Sequence, residues 1–132
     1  MDTLLVLSGD PAVGSLLRQT LDEFVLLEAA SAEQALRLFI DRDRQIDLLI
    51  TGLMLPTSSG IHVALILRIE LPDLPVVLTS RYSVSGWNNR DFADLKRLGS
   101  KALEILKEPF DAQALATAVQ NLMRMPHPQS CV

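Results

Sequence analysis

The chain has 132 residues, the length of one domain at the usual size of roughly 100–200 residues. With 48% hydrophobic and 21% charged residues it has the composition of an ordinary globular protein, which argues against disorder over most of its length. The formal net charge of −4, with twelve basic residues scattered among sixteen acidic ones, argues against direct contact with nucleic acid, which needs Lys and Arg gathered on one face. A single cysteine, Cys131, leaves no intrachain disulfide; with no base beside it, it reads as an exposed tail thiol in a reducing compartment. No basic leader precedes the first apolar run, and no stretch approaches the roughly 18 apolar residues of a membrane span, so a cytoplasmic protein without membrane contact is expected.

Apolar runs of strand length alternate with stretches of helical period, the pattern of βα repeats around a parallel sheet. Leu4 to Leu7 forms the first strand. Asp10 then offers an N-cap before Pro11, and Val13, Leu16, Leu17, Thr20, Leu21 and Phe24 recur at helical spacing. Val25 to Ala29 is a short second strand. The string Ser31-Ala-Glu-Gln34 is a capping box that opens a helix through Ala35, Leu36, Phe39 and Ile40. A third, almost wholly apolar strand runs from Ile46 to Thr51, as expected of a central strand covered on both faces. A helix from Ile61 to Glu70 follows, then a fourth strand from Pro75 to Thr79. After a long connection and a helix from Asp91 to Leu98, Ala102 to Leu106 forms the fifth strand. Asp111 caps the last helix, which runs through Leu115, Val119 and Leu122. The domain is expected over residues 1–125, with a poorly ordered tail over 126–132.

Five strands and five helices in this order predict an α/β fold with a flavodoxin-like, doubly wound, five-stranded parallel sheet of order 2-1-3-4-5. Ligands of such sheets bind beyond the carboxyl ends of the strands. That edge would gather Ser8, Gly9, Asp10, Gly52, Thr79, Ser80 and Glu108.

Leu5-Val-Leu-Ser-Gly-Asp-Pro11, Glu28 to Leu36, Asp47 to Gly60, Pro75 to Ser80 and Glu108-Pro-Phe110 together resemble the receiver domains of two-component response regulators. The resemblance covers roughly residues 4 to 124, and Leu53-Met-Leu-Pro56 with Gly60 carries it most strongly. It implies a site with an acidic pair holding Mg²⁺, an acceptor aspartate, a Ser/Thr and a lysine. The acidic pair falls on Ser8 and Gly9, the acceptor on Gly52 and the lysine on Glu108; only Thr79 matches.

An aspartyl phosphate forms by attack of a carboxylate oxygen on phosphorus, and Gly52 has none. Glu108 places negative charge where a phosphate would need a cation. Mg²⁺ binding is expected to be lost, no other cofactor or metal is implied, and no enzymatic activity is expected. Asp47 lies about 17 Å down the strand from Gly52, and Thr51 points to the opposite face, so neither replaces the acceptor. Asp10 reads as a cap rather than a metal ligand, Thr79 as a strand-end hydroxyl bonded to backbone, and Ile105 stands where the family has a switching aromatic ring. His62 and His127 lack ligand-spaced partners.

The connection from Thr79 to Glu108 is longer than the family's, and the excess lies in Arg81 to Arg90. It holds the chain's only Tyr and only Trp. Tyr82, Trp87 and Arg90 are of the types that dominate interface energetics. They form a candidate docking surface for a signalling partner, with a homodimer through the helix 4, strand 5, helix 5 face as one form of it. Trp87 folded back over apolar surface is the other reading of that ring. An alternative function is binding of a small anionic or nucleotide-like ligand at the hydroxyl-bearing edge, with Thr57, Ser58 and Ser59 contributing. A conventional phosphorelay receiver with an unrecognised acceptor is a third.

Overall fold

In the computed structural model, which describes residues 2–8, 11–43, 45–53, 55, 59–82, 84–99 and 101–123, strands and helices alternate as the sequence predicts. The strands are β1 (Thr3–Leu7), β2 (Val25–Ala29), β3 (Leu48–Gly52), β4 (Val76–Ser80) and β5 (Leu103–Lys107). The helices are α1 (Pro11–Thr20), α2 (Ala32–Asp41), α3 (Gly60–Glu70), α4 (Asn89–Leu98) and α5 (Ala112–Met123). All strand pairs are parallel, in the order β2-β1-β3-β4-β5. The expected tail and the Asp10 cap lie outside the described residues.

Side-chain alternation divides the core in two. Leu4 and Val6 of β1, Leu48 and Ile50 of β3 and Val77 of β4 meet Leu17 of α1 and Leu115, Val119 and Leu122 of α5. Leu5, Leu7, Leu49, Val76 and Leu78 face the other way, against Phe39 of α2, Ile61, Val63 and Leu67 of α3 and Leu98 of α4. The central strands β1 and β4 are buried throughout, whereas β2 and β5 are only partly so, as edge strands are. Ile40, expected on the apolar face of α2, is 55% exposed.

Local capping sets where the helices begin. Ser31 accepts a hydrogen bond from the Gln34 N–H, and the Gln34 side chain accepts one from the Ala30 N–H, one residue before the reciprocal partner of a standard box. Asn88 caps α4 through the Asp91 N–H, and Asp111 caps α5 through the Ala114 N–H. At the opposite end of the sheet Arg68 ties three segments together. Its guanidinium donates to the carbonyls of Leu74, Leu98, Lys101 and Ala102 at 2.9–3.1 Å, joining the end of α3 to the turns before β4 and β5. Burial pushes the Arg68 pKa down, and the negative charge of Asp73 opposes that shift.

Candidate functional site

At the C-terminal edge, Gly52 of β3 is the Cα partner of Thr79, which in turn pairs with Leu106. The alternation of β3 and β4 turns this row toward α1 and α5. Of the buried polar side chains among the described residues, Thr51, Thr79 and Ser80 all belong to this edge. Thr79 contributes its carbonyl to the Leu53 N–H at 2.8 Å. The strand-end hydroxyl that bonds backbone is its neighbour: Ser80 Oγ accepts from the Tyr82 N–H at 3.1 Å and donates to the Tyr82 carbonyl at 2.8 Å. Sequence reasoning assigned that role to Thr79, because both are hydroxyl residues ending one strand and only the turn geometry separates them.

Gly60 explains why the loop after β3 needs a glycine where α3 begins. Its N–H donates to the Leu53 carbonyl at 2.8 Å, and a Cβ built on it would collide with the Gly52 carbonyl and the Thr51 hydroxyl. Ser59 beside it is the N-cap of α3, its hydroxyl accepting from the Ile61 N–H at 3.3 Å. Thr51 donates to the Gly52 carbonyl at 3.0 Å. The hydroxyls of Thr51, Ser59 and Ser80 are therefore engaged with local backbone rather than left to cradle an anion; Thr57 and Ser58 lie outside the described residues.

Glu108 follows β5 directly, and its N–H donates to the Ser80 carbonyl at 2.7 Å. The Glu108–Pro109 peptide is cis. Here a cleft of about 420 Å³ opens between Val13 and Leu16 of α1, Arg81 after β4, and Glu108, Pro109 and Phe110. Among the described residues no ion pair joins Arg81 or Glu108 to another group.

Asp47 sits at the far end of β3, in the turn that leads into it. Its carboxylate accepts the Thr3 N–H at 2.7 Å, and its own N–H donates to the Thr3 carbonyl at 2.8 Å. It is a strand-entry clamp, remote from the edge. For a Mg²⁺ ion, Ser8 offers a hydroxyl and Gly52 no side chain where a hard cation takes carboxylates, so these positions do not fit the metal the family implies. Gly9 and Asp10 lie outside the described residues, and the described ones hold no cluster of three or more His, Cys, Asp or Glu arranged for an ion.

The long connection forms a 3₁₀ turn, Val84–Gly86, before α4. Trp87 turns inward: its ring packs on the cluster shared by α2, α3 and α4, and its indole N–H donates to the Tyr82 carbonyl at 3.2 Å. Tyr82 is 60% exposed and Arg90 is exposed. Sequence reasoning missed the exposed residues and the charge carried by the rest of this segment. On α4, Phe92, Lys96 and Arg97 are also exposed, with the Lys96 ammonium 5.0 Å from the Phe92 ring centroid. Between residues 81 and 107, Arg81, Arg90, Lys96, Arg97, Lys101 and Lys107 outnumber Asp91, Asp94 and Glu104, although the whole chain carries −4. A sliding charge count would have found this reversal of sign.

Comparison with known proteins agrees with this architecture. The transcriptional regulatory protein CpxR of Klebsiella pneumoniae is 30% identical over 129 residues, which are 96% of this chain and 51% of the relative. The chain thus spans about half the length of that relative. The response regulator TrrA of Thermotoga maritima superposes with a TM-score of 0.71 at 25% identity, covering 92% of this chain and 99% of that one. The HemR receiver domain of Leptospira biflexa reaches 0.78 at 20% identity, covering 97% and 98%. No family model matches. The chain has the receiver-domain fold and is similar to response regulators of two-component signalling. Among the described residues no helix is long and apolar enough to cross a membrane.

Proposed function

We propose that this receiver domain works as a protein-docking module of two-component signalling and is not switched by aspartyl phosphorylation. The observation that carries the reading is Gly52, which ends β3 in register with Thr79 and brings no carboxylate to the edge. Two further losses support it. Ser8 replaces a metal-binding carboxylate, and Glu108 replaces the cation that would face the phosphoryl group. Without nucleophile, metal and counter-charge, phosphoryl transfer has nothing to run on, and neither Mg²⁺ nor an enzymatic reaction has a part in the proposal.

Docking falls to the segment from the end of β4 through α4. Along its length it exposes the apolar rings of Tyr82 and Phe92 and the cations Arg90, Lys96 and Arg97, residue types suited to a partner that presents carboxylates and apolar surface. A second copy of the chain, whose remaining surface is acidic, is one such partner.

Trp87 supplies the test, because it is the sole tryptophan and lies in the loop that follows β4. Its fluorescence is expected to stay unchanged on titration with Mg²⁺, alone or with beryllofluoride as a phosphoryl mimic. A saturable change with both present would show a working acceptor pocket and overturn the proposal.

A further inference from the structure

We infer that the cleft between α1 and the turn from β5 to α5 binds a small zwitterion with an apolar body, the class of free amino acids with large aliphatic or aromatic side chains. Its volume, about 420 Å³, falls within the roughly 300–1,000 Å³ of small-molecule sites. One wall is apolar and firmly seated: Val13, Leu16 and Phe110 line the cleft while packing on the core shared by α1 and α5. The other side carries two opposite charges, Arg81 and Glu108, and both are anchored through the same residue. Arg81 directly follows Ser80, and the Glu108 N–H is bonded to the Ser80 carbonyl.

Neither charge is neutralised by an ion pair with a described residue, so both remain for a ligand. The planar guanidinium of Arg81 suits a carboxylate, which it can grip with two parallel hydrogen bonds. The Glu108 carboxylate accepts from an ammonium group. A ligand with only negative charge, such as a phosphate or a nucleotide, would gain from Arg81 and lose to Glu108. The mixed charge therefore selects a zwitterion over the anionic ligands that a hydroxyl-bearing sheet edge would favour. The site is separate from α4 itself, which packs on the other face of the sheet, although Arg81 adjoins the docking segment at Tyr82.

The test is a titration of the whole chain with L-phenylalanine and L-leucine into the millimolar range, read by amide chemical shifts. Phenethylamine and 3-phenylpropanoate, each with one of the two charges, serve as controls. The amino acids are expected to shift Val13, Leu16, Arg81, Glu108 and Phe110, with each control binding at least about tenfold more weakly, the worth of a charge-assisted hydrogen bond. Arg81→Gln and Glu108→Gln should each weaken amino-acid binding by about tenfold. No localised shift with either amino acid would overturn the proposal. So would a single-charge control that binds as tightly, a comparison made on the unaltered chain and independent of how the variants fold.

Discussion

Gly52 and Thr79 are direct Cα partners at the C-terminal edge of the sheet, so the one hydroxyl retained from the receiver pattern stands beside a residue with no side chain. On the proposed reading, restoring a carboxylate at position 52 alone does not restore the reaction, because Ser8 and Glu108 still withhold the metal carboxylate and the cation. Gly52→Asp is expected to remain unphosphorylated by acetyl phosphate and Mg²⁺. Robust labelling at Asp in that variant, read by mass spectrometry, would show that Ser8 and Glu108 are compatible with the chemistry.

Gly60 is required by space rather than by backbone conformation. A methyl group there meets the Gly52 carbonyl and the Thr51 hydroxyl, and the nearer obstacle is backbone, which yields least. Gly60→Ala should lower unfolding stability by about 1–3 kcal/mol, the usual cost of overpacking. Urea denaturation with an unchanged m-value would measure it; a loss below about 0.5 kcal/mol would mean that the loop moves aside freely.

Arg68 holds four carbonyls of the lower turns, and its replacement leaves them to find water in a half-buried place. Arg68→Met should cost about 2–4 kcal/mol. Arg68→Lys should recover little of it, since a point ammonium cannot span the four acceptors as a planar fork does. Equal stability of Arg68→Lys and the parent in thermal melts would refute this role.

Trp87 and the charges of α4 should separate in their effects. Trp87 packs on the core and is bonded to Tyr82, so Trp87→Ala is expected to lower the melting temperature. Arg90 and Arg97 are exposed, Arg97 holding Asp94 only loosely at 3.8 Å, and reversing both to Glu should change stability by no more than about 0.5 kcal/mol each. If docking runs through α4, that double reversal abolishes binding of an acidic partner, or self-association seen by sedimentation, in a chain that melts normally. Retained association would remove α4 from the interface.

The sheet order and the element sequence were legible because each strand and helix writes its own period: β2 spans Val25–Ala29 as read, and Ser31 and Asp111 cap the helices they announce. The strand bounds moved by one or two residues where apolar content and pairing part company. Ile46 is buried, yet the β3 ladder begins at Leu48, because Asp47 is spent on the Thr3 clamp. That the residue ending β3 opposite Thr79 is a glycine, with no side chain to offer, was plain from sequence. The bonds of Arg68 to Leu98, the split between Thr79 and Ser80, and the cleft joining Arg81 to Leu16 were not, since each depends on residues brought together only by folding.

The most direct measurement of the central claim is the intact mass of the unaltered chain after incubation with Mg²⁺ and acetyl phosphate. An unchanged mass in a sample that remains folded is the result expected of an edge built on Ser8, Gly52 and Glu108. A stable gain of one phosphoryl group on an aspartate would contradict it.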